Sequence, residues 1–379
     1  MTSKHQDCKL QHLVIKPILS CTANCPTCTC RQQLHRDLRR RKQLSFEDWK
    51  RVLAEARNLG VLNFTISGGE PTLYKQLPDL IKIGRRYGWM VKINSNGSLI
   101  NENYAEKLLE AGLNMIDISL YSPIPHVHNS MRKSKDLWRK ATSAIKIFVR
   151  LGKKYPGFKV MTQTILCHDN YKDFADLLKL HYNLGSSGML VSYLEGDFEK
   201  KHLFDESEIQ YFKTEVLPRA IEICEELDPY VRDAALFNVK QVFSENLLSS
   251  SDWADGVYRS ENKTCTIPKK QALILANGEV HPCNIVEYIH EPVMGNLFES
   301  SLPEIWHSKK WNRYRQNLHE KCELCPMNHH VYIPLRGGNK LVAIAKLYMQ
   351  KTHLNYLETL LNSMYWKYKV RMARLLQKK

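Results

Sequence analysis

The chain has 379 residues, of which 43% are hydrophobic and 25% are charged. This composition is ordinary for a globular protein, argues against wholesale disorder and suits two domains. The formal net charge of +16 is uneven, because residues 336–379 contain ten lysines or arginines and one acid. No apolar run approaches the roughly 18–20 residues that span a bilayer. The polar N-terminus lacks the apolar core of a secretory signal, so we expect a cytoplasmic protein.

Apolar runs typical of strands alternate with helical patterns from residue 12 to about residue 193. The six predicted strands are Leu13–Leu19, Leu62–Ser67, Met90–Asn94, Met115–Leu120, Lys159–Leu166 and Met189–Tyr193. This rhythm predicts an α/β fold in which helical crossovers connect the strands of a parallel sheet. A partial or complete α/β barrel and a doubly wound sheet fit the pattern equally well.

The helices between these strands carry start and stop signals. Ser45 is the predicted N-cap of the first helix, and four residues of that helix share an apolar face. They are Trp49, Val52, Leu53 and Ala56. A glycine follows four predicted helices, at Gly60, Gly88, Gly112 and Gly152, as is common at helix C-termini.

The rhythm changes after the sixth strand. Two longer helical patterns, at about 205–227 and 229–247, predict a helical connector, and short strands and turns follow around four cysteines up to about residue 330. The chain then returns to helix, as a basic amphipathic tail. The predicted domains are a βα core, a connector, a cysteine-rich domain and this tail. Their bounds are 1–200, 201–260, 261–335 and 336–379.

Three cysteines follow the first strand at once. Cys21, Cys25 and Cys28 are separated by three and then two residues. Three such thiolates can hold a cubic iron–sulfur cluster with one iron open for chemistry, whereas a structural metal takes four ligands. A zinc site completed by a distant ligand and a chance grouping remain as alternatives. Cys30 is an extra thiol in the same loop, either a hydrogen donor or radical relay, or simply a spare cysteine.

Polar residues and glycines end the next strands. Strand two runs into the sequence Ser67-Gly68-Gly69-Glu70-Pro71, and strand three runs into Asn94-Ser95-Asn96-Gly97. Ligand sites of parallel α/β sheets lie at these C-terminal strand ends. Paired glycines let the backbone approach a ligand closely, and Glu70 offers an acceptor for an ammonium group or a hydroxyl. Each motif alone is as readily a turn, but their coincidence with three thiols favours a cofactor site.

In this order and spacing, the cysteine motif, the Gly-Gly-Glu-Pro segment and the six-strand rhythm resemble the radical SAM superfamily. The resemblance covers about residues 12–330 and implies a partial (β/α)6 barrel. It further implies that Cys21, Cys25 and Cys28 hold a 4Fe–4S cluster, whose open iron binds the amino and carboxylate groups of S-adenosylmethionine (SAM). One electron then cleaves SAM to methionine and a 5′-deoxyadenosyl radical, which abstracts hydrogen from a substrate.

The same resemblance implies the residues that bind SAM. They are Gly68, Gly69, Glu70 and Pro71 for the methionine amino group, Asn94 and Asn96 for the ribose, and Ser119 and Arg132 near the carboxylate. One position departs from the family: the residue before the third cysteine, often aromatic and near the adenine, is Thr27. We therefore expect the adenine to be contacted by the backbone around Leu166 or Cys167.

A second set of four thiols could fully ligate another cluster or a zinc ion. It consists of Cys265, Cys283, Cys322 and Cys325. Twelve residues separate Cys265 from Gly278, and four separate Gly278 from Cys283. With this spacing, and beside the first motif, the set resembles the SPASM and twitch domains of radical SAM enzymes, which hold auxiliary 4Fe–4S clusters. The further cysteines of a full SPASM domain are missing, so one auxiliary cluster is expected. Replacement of a cysteine ligand by His329 or His330 remains an alternative.

A fully ligated auxiliary cluster can accept an electron from a substrate radical, which favours a net oxidation. We expect dehydrogenation of a carbohydrate or aminocyclitol. One alternative is a peptide, although only about eleven residues precede the first strand and leave no room for a peptide-recognition domain. Another is a lipid-linked substrate, reached by a basic tail on an anionic membrane surface, which would make the protein peripheral.

The expected electron donor is a flavodoxin or a ferredoxin, and no specific nucleic acid is expected. A metal-binding module without enzymatic activity is the alternative from another class. The segment from Gly68 to Pro71 argues against it, because a simple metal scaffold does not need a cofactor-binding strand end.

Overall fold

The computed structural model describes residues 8–28, 42–194, 200–244, 265–284, 293–316 and 330–336. Within them, ten strands form one sheet. The strands are β1 (His12–Lys16), β2 (Asn63–Ile66), β3 (Met90–Ser95), β4 (Met115–Ser119), β5 (Lys159–Ile165), β6 (Gly188–Ser192), β7 (Gln271–Leu275), β8 (Glu279–His281), β9 (Gly295–Asn296) and β10 (Val331–Pro334). All six predicted strands are confirmed.

Helices connect the strands. They are α1 (Phe46–Asn58), α2 (Leu77–Arg86), α3 (Glu102–Glu110), α4 (Pro125–Met131), α5 (Leu137–Leu151), α6 (Phe174–Asn183), α7 (Glu206–Tyr211), α8 (Leu217–Glu225), α9 (Pro229–Val239), α10 (Leu302–Trp306) and α11 (Lys309–Gln316). Short 3-10 helices occupy Pro71–Leu73, Gly152–Lys154, Tyr171–Asp173, Lys200–His202 and Ile267–Lys269.

The strand order is β10-β6-β5-β4-β3-β2-β1-β7-β8-β9. The seven strands from β6 to β7 are parallel, while β10, β8 and β9 pair antiparallel at the two ends. Side chains of β1 to β6 line one common cavity. The α/β fold with a partial (β/α)6 barrel is therefore confirmed.

The sheet extends further than the sequence predicts. β7 pairs parallel with β1, with His12 opposite Gln271 and Lys16 opposite Leu275. All five residues of β7 are buried, as expected of a parallel strand covered on both faces. The cysteine-rich segment thus begins as part of the core sheet, where it covers an edge of β1 that would otherwise expose unpaired backbone groups.

Helix α1 shows how the local signals determine structure. Ser45 Oγ accepts a hydrogen bond from the Asp48 N–H at 3.2 Å, and Asp48 Oδ2 accepts one from the Ser45 N–H at 2.9 Å. This capping box satisfies two backbone donors that a helix start leaves without partners. The predicted apolar face is buried in the core, and the predicted N-cap is confirmed.

One predicted helix stop has a different cause. Gly60, Gly88 and Gly112 adopt positive φ values of 98°, 81° and 93°, as the stop signal requires. Gly152 instead has φ of −59° and continues into a 3-10 helix. A Cβ there would lie 2.6 Å from the Phe158 ring, so this glycine is needed for close packing.

In the connector, α7 and α8 join through a π-helical segment, Phe212–Val216. Pro218 is the second residue of α8, and because proline lacks an N–H it disrupts the regular hydrogen bonds of the turn before it. α9 ends at Val239, earlier than the predicted residue 247.

No helix among the described residues is long and apolar enough to cross a membrane. The predicted basic tail lies outside the described residues from residue 337 onwards.

Candidate functional site

A cavity of about 750 Å³ occupies the interior of the barrel and reaches the C-terminal strand ends. Its walls come from β1 to β6, from the cysteine loop after β1, and from Asn284 and His330 of the C-terminal segment. Among the described residues that line it, Lys16, Lys92 and Arg132 carry charge and none is an aspartate or glutamate. Cationic side chains thus line a cavity that is shared by the core and the cysteine-rich segment.

Cys21, Cys25 and Cys28 all line this cavity. Cys25 is buried, and the Cys28 N–H donates to the Cys25 carbonyl at 3.3 Å, which turns the loop. The Cys21 sulfur accepts from the Ala23 N–H at 3.4 Å. Burial, and to a smaller extent the charge of Glu70, raises the pKa of Cys21. The loop thus presents three thiols to one space, in a conformation held by its own backbone.

The donor set of the loop fits an iron–sulfur cluster. Cys21, Cys25 and Cys28 line one cavity and supply three thiols. Three thiolates can hold a cubic cluster with one open iron, whereas a structural zinc site takes four ligands. Soft thiolate donors also select iron–sulfur clusters.

The paired glycines let the end of β2 lie against the chain that enters the cysteine loop. The Gly69 N–H donates to the Ile18 carbonyl at 2.9 Å, and the Glu70 N–H donates to the Ser20 carbonyl at 2.8 Å. A Cβ on Gly69 would lie 2.1 Å from the Ser20 oxygen, and one on Gly68 would lie 2.4 Å from the Ile18 oxygen. Both glycines line the cavity, so the backbone of this strand end lies next to a ligand placed there.

Glu70 has a structural role in this arrangement. It is fully buried, and its carboxylate accepts hydrogen bonds from the Thr72 N–H, the Thr72 hydroxyl, the Ser95 hydroxyl and the Asn96 N–H at 2.6–3.2 Å. These bonds tie the end of β2 to the end of β3 and cap the 3-10 helix that starts at Pro71. The structure therefore places this carboxylate inside the scaffold, and the two glycines carry the cavity-facing part of the segment.

The other predicted SAM-binding residues lie at the same edge of the sheet. Asn94, Asn96, Ser119 and Arg132 all line the cavity. The Asn94 Oδ1 atom is buried without a hydrogen-bond partner among the described residues, as expected of a group that faces a ligand. Asn96 is already engaged, because its Nδ2 donates to Thr22 Oγ1 at 2.9 Å and lies 3.6 Å from the Cys21 sulfur. It therefore supports the cysteine loop.

The contacts of Arg132 could not be predicted from the sequence. It follows α4, is 8% exposed, and its guanidinium lies 4.6 Å from the centroid of the Tyr121 ring. Burial opposes its charge, but Cys25, Tyr121, Cys28 and Cys21 outweigh burial, so the pKa of Arg132 is raised. Its carbonyl accepts from the Asn24 N–H at 3.2 Å. Arg132 thus contacts the cysteine loop through its backbone and faces the thiols with its charge.

Tyr121 and His128 complete this region and were not predicted as functional residues. The Tyr121 N–H donates to His128 Nδ1 at 3.1 Å, and the two rings meet edge to face at 5.9 Å. Burial lowers the pKa of His128 to about 3, so it stays neutral and accepts this bond. A position directly after β4 was the available signal for Tyr121, whereas nothing in the sequence links His128 to the strand end.

The floor of the cavity is polar. His12 Nε2 and Thr65 Oγ1 lie 2.9 Å apart, and Lys92 pairs with Asp117 at 2.8 Å. Burial and the charge of Lys92 lower the pKa of His12 to about 4, so this imidazole is neutral near pH 7. The sequence signal that could have predicted this polar floor is the polar residue at every second position of buried strands. The side chains of Leu166 and Cys167 are buried in the core, and the neighbouring Ile165 lines the cavity. The adenine contact expected from the backbone around Leu166 or Cys167 stays a prediction.

Of the second cysteine set, the structure describes Cys265 and Cys283, which precede β7 and follow β8. Gly278, with φ of 82°, makes the turn between these strands. Cys322, Cys325 and His329 lie outside the described residues, as does Cys30 of the first loop. His330 lines the main cavity, and its predicted role as an alternative cluster ligand stays a prediction.

Aromatic and cationic side chains of the C-terminal helices hold the segment that follows Cys265. The Pro268 carbonyl accepts hydrogen bonds from Trp311 Nε1 at 2.9 Å and from Arg315 Nε at 3.2 Å. The Arg315 guanidinium lies 4.1 Å from the ring centroid of Trp306. The loop of the second cysteine set is thus fixed by α10 and α11.

Comparisons with known proteins agree with this geometry. Residues 15–181 match the Radical SAM superfamily, and residues 265–326 match SPASM, an iron–sulfur cluster-binding domain. Over 317 residues, the chain is 23% identical to the PqqA peptide cyclase of Streptomyces rochei, an alignment that covers 82% of this chain and 79% of that protein.

Solved structures share the fold. Streptococcus suis SuiB bound to the precursor peptide SuiA aligns with a TM-score of 0.58 at 19% identity, over 87% of this chain and 72% of that one. The protein anSMEcpe with bound AdoMet aligns with a TM-score of 0.55 at 18% identity, over 84% of this chain and 87% of that one.

The expected cofactors, a 4Fe–4S cluster with SAM and auxiliary iron–sulfur ligation, are confirmed by the two domain matches. The chain belongs to the radical SAM superfamily, as a radical SAM enzyme with a C-terminal SPASM domain.

Proposed function

We propose that the chain modifies a peptide by radical chemistry in the barrel cavity. One observation carries the proposal: three thiols, a glycine-rich strand end and residues of the SPASM segment line the same cavity. The relatives support a peptide, since one is named a PqqA peptide cyclase and SuiB is bound to a precursor peptide. They favour this alternative over the carbohydrate or aminocyclitol that the sequence led us to expect.

Each part of the cavity has a role in this proposal. Cys21, Cys25 and Cys28 hold the cluster, and the backbone at Gly68 and Gly69 binds SAM. When bound, this cofactor pair supplies a radical that abstracts hydrogen from carbon. The chain itself orients the substrate through polar groups of the floor, such as His12 with Thr65 and Lys92 with Asp117.

The charges of the cavity bear on the substrate. Lys16, Lys92 and Arg132 line it without a carboxylate among the described lining residues. His12 is neutral near pH 7 and bonded to Thr65, so it contributes hydrogen bonding and no charge. A polar or anionic part of a peptide residue therefore suits the cavity better than a cationic one, because an unpaired buried cation is destabilised by its neighbours.

The SPASM segment supplies the second half of the proposal. Cys265 and Cys283, with Cys322 and Cys325, hold the auxiliary cluster, and Asn284 next to Cys283 lines the cavity. This proximity in sequence supports a role as electron acceptor in a net oxidation. We also propose that a flavodoxin or a ferredoxin reduces the protein and that the basic tail attaches to an anionic membrane surface. The four predicted domain bounds are kept as part of the proposal.

The test of the enzymatic core is cleavage of SAM. Full-length protein, reconstituted anaerobically and reduced with dithionite, should form 5′-deoxyadenosine, measured by liquid chromatography and mass spectrometry. Cys25→Ala should abolish this product. Cys224→Ala, which removes a buried thiol in the connector, is the matched control and should retain it. Undiminished cleavage by Cys25→Ala would overturn the cluster assignment.

The test of the substrate class compares two probe pools with the same protein. One pool contains synthetic peptides of varied sequence, and the other contains aminocyclitols and simple sugars. A peptide substrate should raise the yield of 5′-deoxyadenosine and change mass, with 2 Da lost for a two-electron oxidation. If only the second pool raises the yield of 5′-deoxyadenosine, the peptide proposal is wrong and a carbohydrate or aminocyclitol is the substrate class.

A further inference from the structure

Arg132 lies beside the three cysteines, so its charge acts on the site they form whether or not SAM is bound. It lines the cavity together with Cys21, Cys25 and Cys28. The residue is 92% buried (8% exposed), and its Nε atom has no hydrogen-bond partner among the described residues. A buried guanidinium with an unused donor points to a ligand or a negative charge in the space it faces.

The Tyr121 ring holds the Arg132 guanidinium in place. The guanidinium lies 4.6 Å from the centroid of the Tyr121 ring, within the range of a cation–π contact, which is strongest when the pair is shielded from water. Tyr121 is itself fixed, since its N–H donates to His128 Nδ1 at 3.1 Å. His128 and Arg132 are four residues apart at the end of α4. This helix end therefore positions the Arg132 guanidinium directly and the Tyr121 ring through His128.

The same residue is attached to the cysteine loop. The Arg132 carbonyl accepts from the Asn24 N–H at 3.2 Å, and the Cys25 sulfur lies 3.9 Å from that carbonyl. Movement of the loop relative to the cation is therefore restricted. The charge stays at a fixed place relative to the three thiols.

Other charges around the cavity do not cancel this cation. Lys92 is paired with Asp117 at 2.8 Å, and no described cavity-lining residue is an acid. A buried charge acts through a low effective dielectric constant, so its effect on a neighbouring charge is several times larger than in water. Net charge around a cluster is one of the factors that set its reduction potential.

We propose that Arg132, positioned by Tyr121, raises the reduction potential of the cluster held by Cys21, Cys25 and Cys28. One-electron reduction by an external donor adds one negative charge to the cluster, and the fixed cation stabilises that reduced form. Arg132 and Tyr121 are thus positioning residues for the electron-transfer step. The inference rests on the proposed cluster ligands, and it is separate from a contact with SAM because it holds without SAM.

The test is an anaerobic redox titration of the reconstituted full-length protein without SAM, followed by electron paramagnetic resonance. The signal of this cluster is identified as the one that SAM alters when added afterwards. Arg132→Gln should lower the reduced-to-oxidised ratio at a given potential at least tenfold, which is about 59 mV for one electron. Tyr121→Leu should shift it in the same direction by less, and Arg132→Lys should shift it least.

Arg139→Gln is the matched control, because Arg139 is an exposed arginine of α5 that pairs with Asp136 at 2.8 Å. It should leave the potential unchanged. The inference is overturned if Arg132→Gln loads full iron and keeps the wild-type potential, including the case in which only its SAM affinity falls. If Arg132→Gln does not load iron, Tyr121→Leu decides by the same criterion.

The proposed function can fail separately. A shifted potential in variants of a protein that never forms 5′-deoxyadenosine would support the inference and reject the function. Normal formation of 5′-deoxyadenosine, with a reduction potential that none of these substitutions changes, would support the function and reject the inference.

Discussion

The two cysteine segments join the same sheet at neighbouring strands, β1 and β7, but they are held in different ways. The loop after β1 is fixed by backbone contacts with Gly69 and by hydrogen bonds around the buried carboxylate of Glu70. The segment after Cys265 is fixed by Trp311 and Arg315 on one carbonyl. The first arrangement leaves the thiols open to a cavity, as an exchangeable ligand such as SAM requires.

The two kinds of contact suit two different sites. A close backbone approach fixes the loop without placing side chains in the cavity, which leaves that space for a ligand. A stack of two tryptophans and one arginine fills space instead, and suits a site that needs to be fixed and closed. Electron acceptance needs only such a closed site. Because these contacts are independent, each can be broken alone.

The largest expected effect comes from Gly69→Ala. Its Cβ would lie 2.1 Å from the Ser20 oxygen, so the loop has to move and the three thiols lose their common position. We expect loss of the catalytic cluster, measured as iron and sulfide per chain, with the SPASM segment intact.

Gly88→Ala is the matched control for that substitution. Gly88 has φ of 81° and no atom within 4 Å of an added Cβ, so the change costs about 1–2 kcal/mol of backbone strain and no contact. It should load both clusters. Equal loading by Gly69→Ala would show that the close approach is unnecessary.

A smaller effect is expected from Arg315→Gln. The substitution removes the stacking on Trp306 and the charged bond to Pro268, which contributes about 1.5–3 kcal/mol. The auxiliary cluster should be lost faster on exposure to a chelator, while SAM cleavage continues. Arg313→Gln changes an exposed arginine on the same helix and should behave as wild type. Equal chelator resistance of both variants would contradict the proposed anchoring.

Local signals predicted much of the fold. The six strands and the N-cap Ser45 follow from periodicity and capping within short windows. The pairing of β7 with β1 joins residues more than 250 positions apart, and no short-range pattern encodes such a contact. The sequence therefore did not predict that β7 of the cysteine-rich segment joins the core sheet.

The site was predicted less evenly. Cys21, Cys25 and Cys28 could be found because their spacing is itself the signal, and the structure brings them to one cavity. Glu70 could not be interpreted from sequence, since a carboxylate at a strand end suits a ligand or a cap equally well. The structure shows the cap. The partners of Arg132 depend on the path of α4, which sequence spacing does not determine.

The account depends most on two separate clusters in two differently held segments. Iron quantification with Mössbauer spectroscopy tests this directly on wild type, Cys25→Ala and Cys265→Ala, each reconstituted anaerobically. The account predicts about eight irons in wild type and about four in each variant, all in 4Fe–4S clusters. About four irons in wild type, with zinc bound by the SPASM segment, would contradict it.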